Sequence, residues 1–233
     1  MPLGNSETFL NAAPDAEARS EIEAVLSFPG AYGNLAALLV TVAGLAAAAW
    51  AGTIAGSEWS WNTFRLAVAR GESRSRYVTV TLGTIGLLLA VAWLVLFTIG
   101  LVFAAAGGAI AGVDLGDPFD PSALERIPVI VAAGWWTTVL YAAIGFAVAF
   151  IARTQVAGIV SVVGLYFGEQ FAAVIVPADL LRFAPITASA GLVAEANRLT
   201  VAPDLLLPLL ATSAYVVIAA VAVAVYAQRA EVP

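Results

Sequence analysis

Five long stretches with no basic residue and almost no acidic ones constrain this chain more than any other feature. A helix needs roughly 20 consecutive apolar residues to cross the hydrocarbon core of a bilayer, and each stretch reaches that length. Apolar residues in these stretches occur on all sides of a helix rather than at alternate positions. We therefore predict an all-α fold, a polytopic transmembrane helical bundle. The five predicted spans are residues 34–55, 78–103, 128–152, 156–176 and 205–227.

The composition agrees with membrane helices and limits the reactions that the chain could catalyse. The 233 residues are 61% hydrophobic and 11% charged, whereas a soluble domain has about a quarter charged residues. Cysteine, histidine and lysine are absent, which excludes thiolate and imidazole chemistry and the metal or haem sites that need those ligands. Without lysine the chain also lacks the phosphate-binding loop of nucleotide hydrolases. We expect a non-catalytic membrane protein with no cofactor and no nucleic-acid partner.

Arginine positions predict the orientation, because basic residues next to spans are retained on the cytoplasmic side. A cytoplasmic loop at residues 56–77 places six arginines inside and four outside. The C-terminus is then cytoplasmic, residues 104–127 are external, and residues 177–204 lie on the outer surface as short amphipathic helices. The six inner arginines are Arg65, Arg70, Arg74, Arg76, Arg153 and Arg229.

Residues 1–33 form a polar, acidic segment that this orientation places outside, ahead of the predicted membrane domain at residues 34–229. The segment has no basic flank followed by an apolar core, so no signal peptide is visible in it. Two explanations stay open at this point. Either the segment is translocated as a short tail, or the natural protein carries a further span before it.

The predicted inner loop combines arginines with aromatic residues. As a helix along the membrane surface, residues 57–77 would turn an apolar face toward the spans and Arg65 toward water. That apolar face would hold Trp61, Phe64 and Val68. Because any inner loop collects arginine, the pattern alone leaves a plain topological loop and a docking element equally open.

The order of residues in this loop resembles that of permease subunits of ATP-binding-cassette exporters of the type-2 integral-membrane (ABC-2-type) family. Those permeases carry a glutamate, a Gly-Thr pair, an apolar-basic stretch and a Ser-Arg pair between two spans. Two positions depart from the pattern, since Asn62 occupies the glycine place and Thr81 the place of a common lysine. Residues 181–185, Leu-Arg-Phe-Ala-Pro, are similar to a stretch before the last span of such permeases. The matching loop residues are Glu58, Asn62-Thr63, Phe64-Arg65-Leu66, Arg70-Gly71 and Ser73-Arg74.

The resemblance implies the permease subunit of an ATP-driven exporter, embedded among the lipids of the bacterial cytoplasmic (inner) membrane. Such a subunit forms the translocation path as a homodimer or heterodimer and couples to a separate cytosolic ABC ATPase. The family has six spans with both termini cytoplasmic, so we favour a missing first span over an external tail. The residues implied to couple to the ATPase are Glu58, Trp61, Thr63, Phe64, Arg65, Arg70 and Arg74.

Glu169 is the one charged residue within the predicted spans, and Gln170 follows it. A charge at mid-bilayer costs about 2.5 to 3.5 kcal/mol on insertion scales, so we expect Glu169 to face other protein or a water-filled cavity. Either it is hydrogen-bonded to a neighbouring helix, in which case Glu169→Gln should change stability little, or Glu169 and Gln170 belong to the translocation path. The alternative function is a secondary transporter or channel that uses Glu169 as its intramembrane polar site.

Three pairs of glycines four residues apart allow helices to approach closely. We predict that they pack against other helices within the subunit or a dimer and do not contact substrate. The pairs are Gly52 with Gly56, Gly108 with Gly112, and Gly164 with Gly168.

Overall fold

The computed structural model describes residues 27–28, 30–111, 115–198 and 204–230. Every regular element in these ranges is an α-helix, so the predicted all-α class is confirmed. Most of the polar N-terminal segment lies outside the described residues. The helices are α1 (Gly30–Ser60), α2 (Thr63–Ala69), α3 (Arg74–Ala111), α4 (Pro121–Leu124), α5 (Ile127–Ala152), α6 (Gln155–Ala172), α7 (Ala178–Leu181), α8 (Pro185–Ala196) and α9 (Leu206–Arg229).

Four of these helices, α1, α3, α5 and α9, are long and apolar enough to cross a membrane. They coincide with four of the five predicted spans. The fifth span, predicted at residues 156–176, is not confirmed: α6 has 18 residues, which extend about 27 Å, and a hydrocarbon core is about 30 Å thick. The chain leaves the helix after Ala172 and continues in turns.

α5 lies at the centre of the bundle. Over its most apolar window 61% of α5 is buried, against 39% for α1 and 17% for each of α3 and α9. It contacts α1, α3, α6, α8 and α9. Buried small residues such as Ala142, Ala143 and Gly145 allow this crowding, because they let neighbouring backbones approach. α3 and α9 turn most of their apolar surface outward, as helices that face lipid do.

Glycines join α1, α5 and α6 at one crossing. A Cβ built on Gly158 of α6 would lie 2.6 Å from the carbonyl oxygen of Gly145 and 2.9 Å from the Cα of Gly52. A Cβ on Gly56 would lie 2.5 Å from the backbone nitrogen of Gln155. The predicted packing role within the subunit is therefore confirmed for Gly52 and Gly56.

The other two glycine pairs differ from the first. A Cβ on Gly164 or Gly168 would meet nothing within 4 Å, so this pair makes no contact inside the described chain. A Cβ on Gly108 would lie 2.1 Å from the side chain of Leu115. Its partner, Gly112, lies outside the described residues.

Alanine at Gly158 should destabilise the protein, and alanine at Gly164 should not. The added methyl group at Gly158 overlaps two backbones, and overpacking of this kind costs about 1 to 3 kcal/mol. Gly164 is on the same helix with open space around it, so Gly164→Ala should be neutral or stabilising, by up to about 1 kcal/mol, through helix propensity. Thermal melting of the two purified variants in one detergent tests this, and equal melting temperatures would contradict the close crossing.

The helix ends gather at two ends of the bundle. At one end, the last turns of α1, α5 and α9 meet α2 and the first turn of α3. At the opposite end, the starts of α1 and α5 pack with later parts of α3 and α8 around Tyr32, Phe97 and Ile130. The loop at residues 56–77, Arg153 and the end of α9 thus share one side, as predicted. We call this side the aromatic end, defined by Trp59, Phe64, Tyr77, Phe150 and Tyr226.

The predicted short helices of residues 177–204 are present as α7 and α8. α8 lies inside the bundle, which corrects the predicted position on the outer surface for this helix. Its first turn begins at mid-bundle, and its buried residues Leu192 and Ala196 reach the cluster at the opposite end. The apolar stripe that predicted a surface helix faces α1, α5 and α9 instead of a lipid surface. Near the start of α8, Ile186 packs with the mid-helix residues Ala48, Tyr141 and Val162.

Candidate functional site

The loop between α1 and α3 is broken into pieces, so the single helix predicted over residues 57–77 is wrong. α1 continues to Ser60, and Asn62 then takes a left-handed conformation with φ of 58°. The short helix α2 follows, and a turn with Gly71 at φ of 92° leads into α3. Glycine and asparagine tolerate left-handed backbone better than other residues, which explains why the breaks occur there.

Glu58 ties the three pieces together. Its side chain is buried, with 9% of the residue exposed. Oε2 accepts a hydrogen bond from the Tyr77 hydroxyl at 2.6 Å and a short one from the Thr63 hydroxyl. An ionised carboxylate is acceptor-only, and hydrogen bonds to a charged group are about twice as strong as neutral ones. Glu58 therefore links the end of α1 to the starts of α2 and α3.

Phe64 anchors α2 in the aromatic end. It is fully buried, and its ring centroid lies 5.4 Å from that of Trp59 and 5.3 Å from that of Phe150. Val68 packs against the same cluster. Trp61 does not: it is 72% exposed, so its predicted place beside Phe64 and Val68 is wrong. The reason is the left-handed residue that follows Trp61, which separates it from the helical register of α2.

Arg74 is engaged within the chain. Its Nη1 donates hydrogen bonds to the carbonyl oxygens of Gln228 at 3.0 Å and Ala230 at 2.8 Å, at the C-terminus of α9. The last carbonyls of a helix lack partners in the helix, and a cation also meets the negative end of the helix dipole there. Arg74 thus joins α3 to α9, and any role in coupling stays a prediction.

The other arginines of the loop differ in exposure. Arg65 is half-buried, and its Nε has no hydrogen-bond partner in the described structure. Arg76 lies 3.4 Å from Glu72 in an exposed ion pair, which contributes little to stability. Arg70 is exposed and follows the last residue of α2. Of the three predicted coupling arginines, Arg70 alone presents an exposed side chain.

Arg153 is a candidate site residue that sequence reasoning used only for orientation. It ends α5 in a left-handed conformation with φ of 57°. Its guanidinium carbon lies 4.3 Å from the ring centroid of Trp59, and its Nε donates a hydrogen bond to the Tyr226 hydroxyl at 2.9 Å. A cation over an indole face is an attractive pair. The only sequence signal was a basic residue directly after a span.

Glu169 is buried and holds the first turn of α8. It is 7% exposed, and it lies 14 residues after the first residue of α6, about 21 Å along the helix. Oε1 accepts the backbone N–H of Ile186 at 2.9 Å, and Oε2 accepts the backbone N–H and the hydroxyl of Thr187, both at 2.8 Å. The expectation that Glu169 contacts another helix is confirmed.

This contact completes the hydrogen bonding of the first turn of α8. The first four N–H groups of a helix have no partner within it, and Ala184 at the cap position offers no side-chain acceptor. Pro185 has no N–H, and Ala188 donates to the carbonyl of Ala184 at 2.7 Å. Glu169 accepts hydrogen bonds from the two remaining N–H groups, those of Ile186 and Thr187. Each buried donor is therefore satisfied, which a helix start inside a membrane bundle requires.

Gln170 and Glu169 have different surroundings. Gln170 is exposed, so the two predicted path residues do not form one polar patch.

A separate cleft of about 460 Å³ opens between α3, α5 and α9, and its lining is almost wholly apolar. Trp135 and Trp136 line it; their indole N–H groups donate to the Gly86 carbonyl at 2.9 Å and the Ser213 hydroxyl at 3.2 Å. Such a cleft suits an apolar chain.

Comparison with known proteins gives no match to a family model, to a curated protein or to a solved structure. Functional inference for this chain therefore depends on its own residues and their geometry.

Proposed function

We propose that this chain is the permease subunit of an ATP-driven exporter of the ABC-2 type, working in the bacterial cytoplasmic membrane with a separate cytosolic ATPase. The aromatic end faces the cytoplasm, in keeping with the arginine distribution. α6, together with the turns that follow it to residue 176, forms the fifth span, beside α1 and α5. Two copies, or two related subunits, form the translocation path. The loop resemblance and the geometry of the loop support the proposal.

The observation that carries the proposal is the anchoring of α2. Phe64 fixes this short helix in the aromatic end by contacts with α1 and α5, while Glu58 ties its start to α1 and α3. Arg70, directly after α2, is exposed. Closely packed interiors transmit displacement rather than absorb it. A partner that pushes on α2 would therefore move three long helices, as coupling to an ATPase requires.

The contacts of Glu169 weigh against the secondary transporter or channel. A coupling carboxylate has to exchange protons or ions with a water-filled path. Both oxygens of Glu169 instead accept hydrogen bonds from the first turn of α8. In our proposal Glu169 supports the path by holding α8 in place.

Co-purification tests the proposed function. The full chain, tagged at its C-terminus and extracted in a mild detergent from membranes of its own host, should retain a cytosolic ATPase that carries a phosphate-binding loop. The ATPase activity of that complex should require both chains. An unrelated detergent-solubilised membrane protein with the same tag serves as the control. Recovery of the chain without any ATPase, under conditions that keep it folded, would contradict the proposal.

Cysteine labelling tests the orientation, because the chain has no native cysteine. Ala69 and Glu125 are exposed near opposite ends of the bundle and suit single replacements. In intact cells an impermeant maleimide should label Glu125→Cys and should spare Ala69→Cys, which becomes reactive after the membrane is permeabilised. The reverse pattern would place the aromatic end outside and remove α2 from the reach of any cytosolic ATPase.

A further inference from the structure

Arg153 is held in one position by two neighbouring elements. Its guanidinium stacks over Trp59 of α1 at 4.3 Å, and its Nε is bound to the Tyr226 hydroxyl of α9 at 2.9 Å. Trp59 is 8% exposed, so the surface under the guanidinium is fixed by packing. The backbone of Arg153 is left-handed, which is unfavourable for a residue with a Cβ. These contacts preorganise the side chain.

The two terminal nitrogens of Arg153 remain available. The ion pairs within the described residues do not include Arg153, and its only hydrogen-bonding side-chain nitrogen there is Nε. The side chain is exposed. A guanidinium presents a planar fork of donors that matches the oxygens of a phosphate. The fixed fork at the aromatic end is therefore suited to an anionic phosphate group.

An apolar strip borders Arg153 on both sides in sequence. Ile151 precedes it, and α6, which begins two residues after it, presents exposed apolar side chains along one side. A soluble phosphate compound or an acidic protein segment gains nothing from such a strip, whereas acyl chains do. The exposed members are Ile151, Val156, Ile159 and Val160.

We propose that Arg153 binds the headgroup phosphate of an anionic phospholipid, with the acyl chains of that lipid against the exposed side of α6. The site uses one cation, one indole and one hydroxyl from three helices, and it lies at the aromatic end, where the chain passes from α5 to α6. Basic groups between helices at a membrane surface are known to take anionic headgroups. This inference needs only that α6 and the exposed end of α5 adjoin the bilayer, and it does not depend on an ATPase partner.

Native mass spectrometry of the purified full chain tests the site. The protein in detergent is mixed with equal amounts of phosphatidylglycerol and phosphatidylcholine of identical chains, and the retained lipids are counted. The wild type should prefer phosphatidylglycerol, and Arg153→Gln should reduce that preference about fivefold, the effect of one basic residue at an anionic surface. Tyr226→Phe keeps the ring and removes only the hydroxyl that positions Arg153, so it should also weaken the preference while its melting temperature stays unchanged.

The matched control is Arg70→Gln, which removes an exposed arginine from the same end of the bundle and should leave the preference unchanged. If Arg153→Gln fails to fold, Tyr226→Phe decides. A wild-type preference in Arg153→Gln and in Tyr226→Phe would overturn the proposal. So would an equal loss in Arg70→Gln, since that indicates general charge attraction. Displacement of the lipid by an excess of inorganic phosphate would overturn the lipid assignment, because it shows that the acyl chains add nothing.

Discussion

Glu169→Ala should lower the free energy of unfolding by roughly 2 to 6 kcal/mol, because one buried and one part-buried N–H group of α8 lose their acceptors and each unpartnered donor costs about 1 to 3 kcal/mol. The donors are those of Ile186 and Thr187. Hydrocarbon supplies no water to replace the carboxylate. Thermal melting of the purified chain in detergent measures the loss. Hydrogen exchange should show it locally, as faster exchange at the start of α8 than in α5.

The stability of Glu169→Gln should lie between that of the wild type and that of Glu169→Ala. An amide keeps one acceptor oxygen, but its NH₂ group then meets a backbone N–H, and two donors repel. A loss of roughly 1 to 3 kcal/mol follows from one unpartnered donor. This differs from the expectation drawn from sequence, in which the amide replaces a protonated acid at little cost. The difference arises because every partner of Glu169 in the described structure can donate.

Two further variants separate capping from other effects of the substitution. Thr187→Val removes the hydroxyl that donates a hydrogen bond to Glu169 and keeps the backbone N–H. Its loss of stability should therefore be smaller than that of Glu169→Ala. Gln170→Ala is the matched control on the neighbouring exposed residue and should be nearly neutral. A Glu169→Ala protein that melts with the wild type would show that α8 does not depend on this cap. Its carboxylate would then be free for a role in the path.

The long helices of this fold could be predicted because a membrane span is recognised from the hydropathy of consecutive residues alone. α1, α3, α5 and α9 each bury or expose enough apolar surface to be recognised without knowing their neighbours. α8 could not be placed that way. Its position depends on a carboxylate 17 residues earlier in sequence, in a separate helix, that accepts its first amides. No local pattern encodes such a contact, so residues 177–204 looked like a surface segment.

Part of the candidate site could also be predicted from the sequence. A glutamate and an aromatic residue in a short loop between spans are expected to have partners, which singled out Glu58 and Phe64, and the structure shows those partners. Trp61 was misplaced because a single left-handed residue, Asn62, resets the helical register directly after it. The role of Arg153 could not be predicted from its local sequence, because its partners come from the ends of α1 and α9, far away along the chain.

Charge reversal at Arg70 is expected to separate this chain from its proposed ATPase. Arg70 follows α2, is exposed, and makes no side-chain hydrogen bond within the described residues. Arg70→Glu should therefore leave the melting temperature unchanged. If α2 docks on the ATPase, the reversed charge should weaken the complex about tenfold, which corresponds to about 1.4 kcal/mol. The measurement is the fraction of ATPase that co-purifies with the tagged chain as salt is varied, since a rim charge acts through a salt-dependent attraction.

Arg74→Glu should act differently, although both residues belong to the same predicted set. Its guanidinium caps α9, so the reversal removes hydrogen bonds to the last carbonyls and puts a negative charge at the negative end of a helix. We expect a loss of about 2 to 4 kcal/mol in stability, measured by thermal melting before any binding assay. A loss of ATPase binding in this variant would therefore not show that Arg74 contacts the ATPase.

Arg229→Glu supplies the control for charge itself. Arg229 is exposed at the same end of the bundle but lies in the last turn of α9, outside the loop that holds α2. The comparison of Arg70→Glu with Arg229→Glu holds the change in net charge constant and varies only its place. Weaker ATPase binding confined to Arg70→Glu would locate docking at α2. Equal binding in both reversed variants and the wild type would mean that α2 is a structural turn, and the strongest support for the proposed function would be lost.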